Sequence, residues 1–335
     1  MESLAMKRFI VLLLGIILPC SAVAGEEVVI YSARKDHLIK PLLDAYRAKT
    51  GVESKILTDD AAPLLARLKA EGANTPADLL LTVDVGNLWH AANEGVLAPL
   101  SSTVLTETIP AHLRDPEHRW FALTIRARTI VYHTGKVKPA ELPGYATLAQ
   151  EAWKGRLCLR TSKKVYNQSL VAMMIARLGA EKSADIVKGW INNLALPPLD
   201  NDSKVMEAIA AGQCDVGIVN TYYYGELLEK KPELPLALHW PDQEGDGVHI
   251  NISGAGVTAH AKHKEAAKKL LEWLVGAEAQ RLFSDLNKEY PVNASVAPNA
   301  KIAQWGSFKA DAHPIALAGR HQAEAVMLMD RAGYK

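Results

Sequence analysis

Cysteine is nearly missing from this chain, with three in 335 residues, and that excludes a scaffold held together by many disulfides. Excess charge of one sign is missing too: 38 Lys and Arg stand against 37 Asp and Glu. Such a balance carries no general attraction for nucleic acid or anionic lipid, so no nucleic-acid partner is expected. Beyond residue 18 no apolar run approaches the roughly 20 residues needed to cross a bilayer. There is no P-loop, and the eleven histidines form no H-x-x-x-H pair of a zinc enzyme. Low-complexity stretches and short-period repeats are absent as well.

The first residues read as an address. Lys7-Arg8 precede an apolar run from Phe9 to Leu18, and Ala22-Val23-Ala24 gives the small-x-small pattern of a signal-peptidase site. Residues 1–24 are therefore expected to be a cleaved signal peptide. Pro19 disfavours cleavage before Cys20 as a lipoprotein. Lys7, Arg8 and Glu2 leave with the leader, so 36 basic and 36 acidic side chains remain. Of the cysteines, Cys158 and Cys214 remain. An oxidising compartment permits a disulfide between them, and two small buried hydrophobes are the plain alternative.

The remaining length exceeds a usual domain of about 100–150 residues, so two lobes are expected. Strand and helix alternate: Val28–Tyr31, a helix over 37–49 stopped by Gly51, Val52–Leu57, a helix over 61–71, Asp78–Val83. This grammar predicts an α/β fold with a mostly parallel sheet. It restarts after residue 150, with a strand over 156–160, helices over 168–178 and 184–194, a helix capped by Asp202 or Ser203, and a strand over 215–219. Trp120–His133 and Val248–Ala259 read as two crossing β-segments between the lobes. Residues 264–286 read as a helical pair of the first lobe, and a C-terminal helix over 316–333 as part of the second. The expected division is residues 25–127 with 252–290 as lobe 1, and residues 128–251 with 291–335 as lobe 2.

Tyr222-Tyr223-Tyr224 is the most unusual run. It directly follows an apolar strand, and Tyr166 follows the strand that carries Cys158, so both lie at carboxyl ends, where α/β folds place ligands. On an extended segment, three consecutive side chains cannot all enter one core. Phenols in a cleft either stack on an organic ligand or serve a hard cation as oxygen donors. Holding one phenol ionised at pH 7 costs about 4 kcal/mol, which a bound metal can reverse. Three phenolates match the charge of Fe(III). Arg34, Arg126 and Arg128 sit past the first strand and on the first crossing segment. Their planar forks suit a small carboxylate-like anion that would complete a metal shell; surface ion pairing is their ordinary use.

Other signals fail in context. Ser32-Ala33-Arg34-Lys35 fits S-x-x-K, but neither partner motif of that enzyme class is present. Gly254–Ala259 fits G-x-G-x-x-A, yet no periodic helix starts there, so a strand is expected instead. Asp59-Asp60 reads as a loop or helix cap.

The stretches VVIYSAR, TPADLLLTVD, IRARTIVYHT, KVYNQSLVA, VGIVNTYYY, INISGAGV, EYPVN and RAGYK span nearly the whole chain after the leader. In them it resembles the bacterial periplasmic ferric-iron-binding proteins, the transferrin-like branch of the solute-binding proteins of ABC importers. The resemblance implies a two-lobed, type II Venus-flytrap fold. It implies capture of Fe(III) with carbonate or a similar small anion, and delivery to an inner-membrane ABC permease and its ATPase. It also implies a periplasmic monomer that is not an enzyme. The family's iron-ligating tyrosines carry over to Tyr166, Tyr222 and Tyr223, and its anion-anchoring arginine to Arg128, with Arg34 and Arg126 as neighbours. Tyr224 has no clear counterpart and is expected behind the ligands, as are Asp84 and His37. The sequence departs from the family where many members place His or His-Tyr after the first strand: here stand Lys35-Asp36, with His37 one residue later. Where some members use a Glu, Val83-Asp84 occurs. The expected shell is thus three second-lobe tyrosines plus an anion or water. A receptor for an organic solute and a periplasmic hydrolase are the rival readings; for the hydrolase no credible nucleophile–base–orienter set occurs.

Overall fold

The computed structural model describes residues 27–335, and the expected signal peptide lies outside them. Nine strands run through it: β1 Glu27–Ser32, β2 Glu53–Thr58, β3 Leu79–Val83, β4 Phe121–His133, β5 Leu157–Cys158, β6 Val216–Asn220, β7 Leu236–His239, β8 Ile250–Val257 and β9 Tyr290–Pro291. The helices are α1 Asp36–Thr50, α2 Ala61–Glu71, α3 Val85–Asn93, α4 Thr103–Thr108, α5 Val165–Leu178, α6 Ala180–Asn192, α7 Asp202–Ala210, α8 Thr221–Lys230, α9 Lys264–Leu274, α10 Ala277–Asn287, α11 Ala300–Ala303, α12 Ala316–Arg320 and α13 Gln322–Arg331.

Apolar spacing explains the helices. Ile39, Leu42, Leu43 and Tyr46 bury one face of α1, the 3.6-residue stripe of a helix packed on a sheet. Gly51 then ends it at φ 75°, its N–H returning to the Arg47 carbonyl, because the left-handed turn favours a residue without Cβ.

The strands join in the order β2-β1-β3-β8-β4-β6-β5, with β7 and β9 also paired to β4. β1 is parallel to β2 and β3, and β5 to β6. β8 and β4 are antiparallel to their neighbours. The sheets are therefore mixed rather than mostly parallel: a chain that crosses between lobes and returns must lay its two crossing strands in opposite directions. β4 changes partner along its length. Phe121–Ala127 pairs with β8, while Arg128–Tyr132 pairs with β6. β8, the G-x-G-x-x-A segment, is a fully buried strand. These two strands join the lobes.

Other boundaries moved. α5 starts at Val165 rather than 168, and α6 spans Ala180–Asn192. Asn201, not Asp202 or Ser203, caps α7, accepting from the Lys204 N–H at 2.9 Å. Asp202 is the first helical residue and is fully buried. The C-terminal helix is split by His321 into α12 and α13. α13 packs on α5, whereas α12 lies between α5 and α3 and so touches both lobes.

One apolar core runs beneath both lobes. A smaller one under β5, β6 and α7 contains Val131, Val205, Met206, Ile209, Val219 and Leu227. Cys158 and Cys214 lie in it and are joined as a disulfide, which resolves the choice the sequence left open. No helix among the described residues is long and apolar enough to cross a membrane.

Candidate metal site

A cleft of about 420 Å³ opens between the lobes. β6 ends at Asn220 and α8 begins at the next residue, so Tyr222 and Tyr223 occupy its first turn. The tyrosine run is thus helical, not extended. Successive side chains on a helix diverge by about 100°, and this sorts the three. Tyr222 and Tyr223 line the cleft. Tyr224 turns inward with 7% exposure, edge-on to Trp305, its hydroxyl donating to the Leu236 carbonyl at 3.2 Å. It belongs to the core and lies outside the cleft.

Tyr166, the second residue of α5, comes from another element and meets Tyr222 with hydroxyl oxygens 3.3 Å apart. The rings of Tyr222 and Tyr223 lie 4.2 Å apart. Both helices present their amino ends here, the positive end of the helix dipole, which favours an ionised phenol. Without a cation, Tyr222 and Tyr223 hold their protons. Burial first, then the neighbouring Tyr166 and Tyr223, raise Tyr222 well above the ordinary tyrosine range, while Arg126 pulls it back. Burial likewise raises Tyr223, opposed in part by Tyr222 and Arg160.

The arginines divide. Arg126 is buried at the cleft, its guanidinium 5.6 Å from the centre of the Tyr166 ring. Only Nη1 has a partner, donating to Ser253 at 3.2 Å, while buried Nε and Nη2 have none. Arg34 also lines the cleft but is engaged by Glu289, at 3.2 and 2.5 Å, and by Ser253 at 2.7 Å. Arg128, the expected anion anchor, is not at the cleft. Its donors are consumed by Asn167 (2.7 Å), Asp202 (3.0 and 3.4 Å), Asn220 (3.0 Å) and the Ile218 carbonyl (3.2 Å). A guanidinium with five donors satisfied has none left for a ligand.

In its place stands Arg160, which the sequence reading passed over. It is buried, its guanidinium 5.0 Å from the Tyr166 ring centre, with Nη1 on Asp202 at 3.2 Å and Nε unpartnered. Its position just past β5, on the loop to Tyr166, is the signal that could have found it. Arg34, Lys35, Arg126, Arg160 and Lys164 line the cleft against Asp60, Glu226 and Glu289. The surplus of positive charge makes it attractive to an anion while the phenols are neutral.

His37 lines the cleft from the first lobe, beside Lys35. Asp84 does not. It is buried at the start of α3, bound to the Gly86 N–H (2.9 Å), Ser169 Oγ (2.7 Å) and Asn251 Nδ2 (2.6 Å). It thereby ties α3 to α5 of the other lobe. Burial raises its carboxyl, and Arg126 acts against that. Among the described residues no cluster of three or more His, Cys, Asp or Glu could hold a metal.

Known proteins share this arrangement of chain. A family model described as bacterial extracellular solute-binding protein matches residues 42–310. The chain belongs to that family. This solute-binding protein is 41% identical to "Iron uptake protein A1" of Synechocystis sp., over 95% of its own length and 90% of the relative's. Among solved structures it is similar to "Trichodesmium (IdiA) (FutA) in complex with iron and citrate ligands", with TM-score 0.88, 42% identity, and 92% of this chain and 100% of that one covered. It is also similar to "Apo FutA2 from Synechocystis PCC6803", with TM-score 0.88, 36% identity, and 93% and 100% covered. The two-lobed α/β architecture of the solute-binding protein is that of ferric-binding proteins.

Proposed function

We propose that this protein captures Fe(III) in the cleft through the phenolates of Tyr166, Tyr222 and Tyr223 and delivers it to an ABC importer, working in the periplasm with an inner-membrane permease and its ATPase. One observation carries the reading: three phenols from two helix amino ends converge, with Tyr166 and Tyr222 hydroxyls 3.3 Å apart. Hard, highly charged cations take oxygen donors, and three phenolates neutralise a trivalent ion. A small anion, of which carbonate is one, sits against Arg126 and Arg160, whose unpartnered buried N–H groups await an acceptor. The names of the iron-uptake relatives support the same cargo.

The lobes divide where β4 changes partner, between Ala127 and Arg128, and closure about β4 and β8 shields the charged site from water. Because burial holds Tyr222 and Tyr223 in the protonated form, loading releases protons. Affinity therefore falls as pH falls, and reduction to Fe(II) weakens the hold further. The experiment is direct: mix the purified protein with Fe(III) at neutral pH and record the visible spectrum. Iron–phenolate bonding gives a red or orange band that weakens in Tyr166→Phe. A colourless mixture would overturn the ferric reading in favour of an organic ligand stacked on the tyrosines.

A further inference from the structure

Glu226 also lines the cleft. It lies on α8 four residues after Tyr222 and three after Tyr223, the spacings that bring side chains together on one helix face. All three line the same cleft. Tyr224, between them, is turned into the core instead. The helix thus presents two phenols and one carboxylate as a contiguous oxygen-bearing surface.

The state of this carboxylate is unusual. Asp60, another acid of the cleft, is exposed, and Glu289 is held by Arg34 at 2.5 Å. Glu226 is half-buried, yet among the described residues it has neither an ion pair nor a hydrogen bond. Lys230 and Lys35 lie near enough for their charges to act on it without touching it. A carboxylate withdrawn from water without a partner is unfavourable, and the cost is recovered when a cation arrives. The cleft's first-lobe wall offers Lys35 and His37, whose side chains carry no oxygen, the Glu289 carboxylate already taken by Arg34, and the exposed Asp60; Glu226 is instead half-buried, unpartnered and on the helix that carries two of the tyrosines.

We propose that Glu226 is a fourth protein ligand to the ferric ion, supplying a carboxylate oxygen from α8, the helix that carries Tyr222 and Tyr223. The proposal rests on the ferric reading. Coordination replaces a water on the iron by a carboxylate oxygen and breaks no other bond. With three phenolates and Glu226 the protein shell carries one negative charge beyond that of the ion, which the surplus of arginine and lysine in the cleft compensates.

The test is Glu226→Gln in the full mature protein, loaded with Fe(III) and compared with wild type in visible spectrum and in competition with a soluble chelator. Removing an anionic donor makes the iron a better electron acceptor, so the phenolate-to-iron band moves to longer wavelength. Affinity falls by at least about 10-fold, the least that even groups behind the ligands cost. Glu226→Asp, which keeps the charge on a shorter arm, restores the band position at least in part. If affinity falls while the band stays put, Glu226 serves lobe closure against Lys35 and the ligand assignment is wrong. It is equally wrong if neither changes. Thermal unfolding of the iron-free variant distinguishes either result from a folding defect. A wild-type protein that stays colourless with Fe(III) sinks the ferric reading itself, whereas a coloured wild type with an indistinguishable variant sinks only this inference.

Discussion

On the second-lobe wall of the cleft, the polar groups behind the tyrosines are tied to one another. Asp202 accepts from Arg128, Arg160 and the Asn220 N–H. Arg128 reaches Asn167, the residue after Tyr166. Asn167 donates to the Arg160 carbonyl and to Tyr334. A disulfide joins β5, which leads to Tyr166, to Cys214 just before β6, which leads to Tyr222. The first-lobe wall is looser: Lys35, just before α1, and His37, in its first turn, are exposed, while Arg34 is held by Glu289. The contrast assigns different tasks. On the proposed ferric reading, the lobe with the tyrosines fixes its phenols during folding, so little ordering remains to oppose binding. The other lobe contributes field and cover.

Five variants would sharpen or break that contrast. The largest effect is expected from Asp202→Asn, which leaves two buried guanidiniums without their carboxylate. Urea unfolding should show a loss of about 3–5 kcal/mol, and a loss under 1 kcal/mol would mean that the cluster is not what stiffens this wall. Replacing Cys158 and Cys214 together by Ser should cost about 2–4 kcal/mol in the same experiment, while lobe-1 contacts stay intact. Next comes Tyr222→Phe, for which a chelator competition should give an iron affinity lower by more than about 100-fold, beyond what an outer group costs. Its neighbour Tyr224→Phe should leave affinity within about twofold and lose only about 1 kcal/mol of stability with its hydroxyl's hydrogen bond. Equal losses for the two would refute the sorting of the run by helix phase. Lys35→Ala should be the mildest, shifting affinity less than about threefold, as expected of an exposed charge. A large loss there would make the first lobe a partner in holding the ion.

The strand–helix alternation, both crossing segments and the positions of Tyr166, Tyr222 and Tyr223 were legible because they depend on local periodicity and on strands ending at the cleft. What could not be read depends on distant partners. Arg128 looks like an anion anchor until Asp202, 74 residues away, is seen to occupy it. Arg160 was missed for the same reason, since its cleft position follows from the pairing of β5 with β6. Tyr224 was set behind the ligands, yet it lies in the core. The start of α8 decides that, and no cap residue marks it: Asn220 makes no side-chain cap bond. The direction of the crossing strands, which makes the sheet mixed, likewise depends on pairings far apart in the chain.

The abrupt passage from β6 into α8 also constrains how this segment can vary. With no loop between Asn220 and Thr221, there is no slack to absorb a change of length. Inserting one residue there would rotate every later side chain by about 100°. Tyr222 and Tyr223 would leave the cleft, Tyr224 would be drawn out of its pocket against Trp305, and Glu226 would face elsewhere. The segment can therefore accept exchanges of side chain far more readily than a single insertion or deletion.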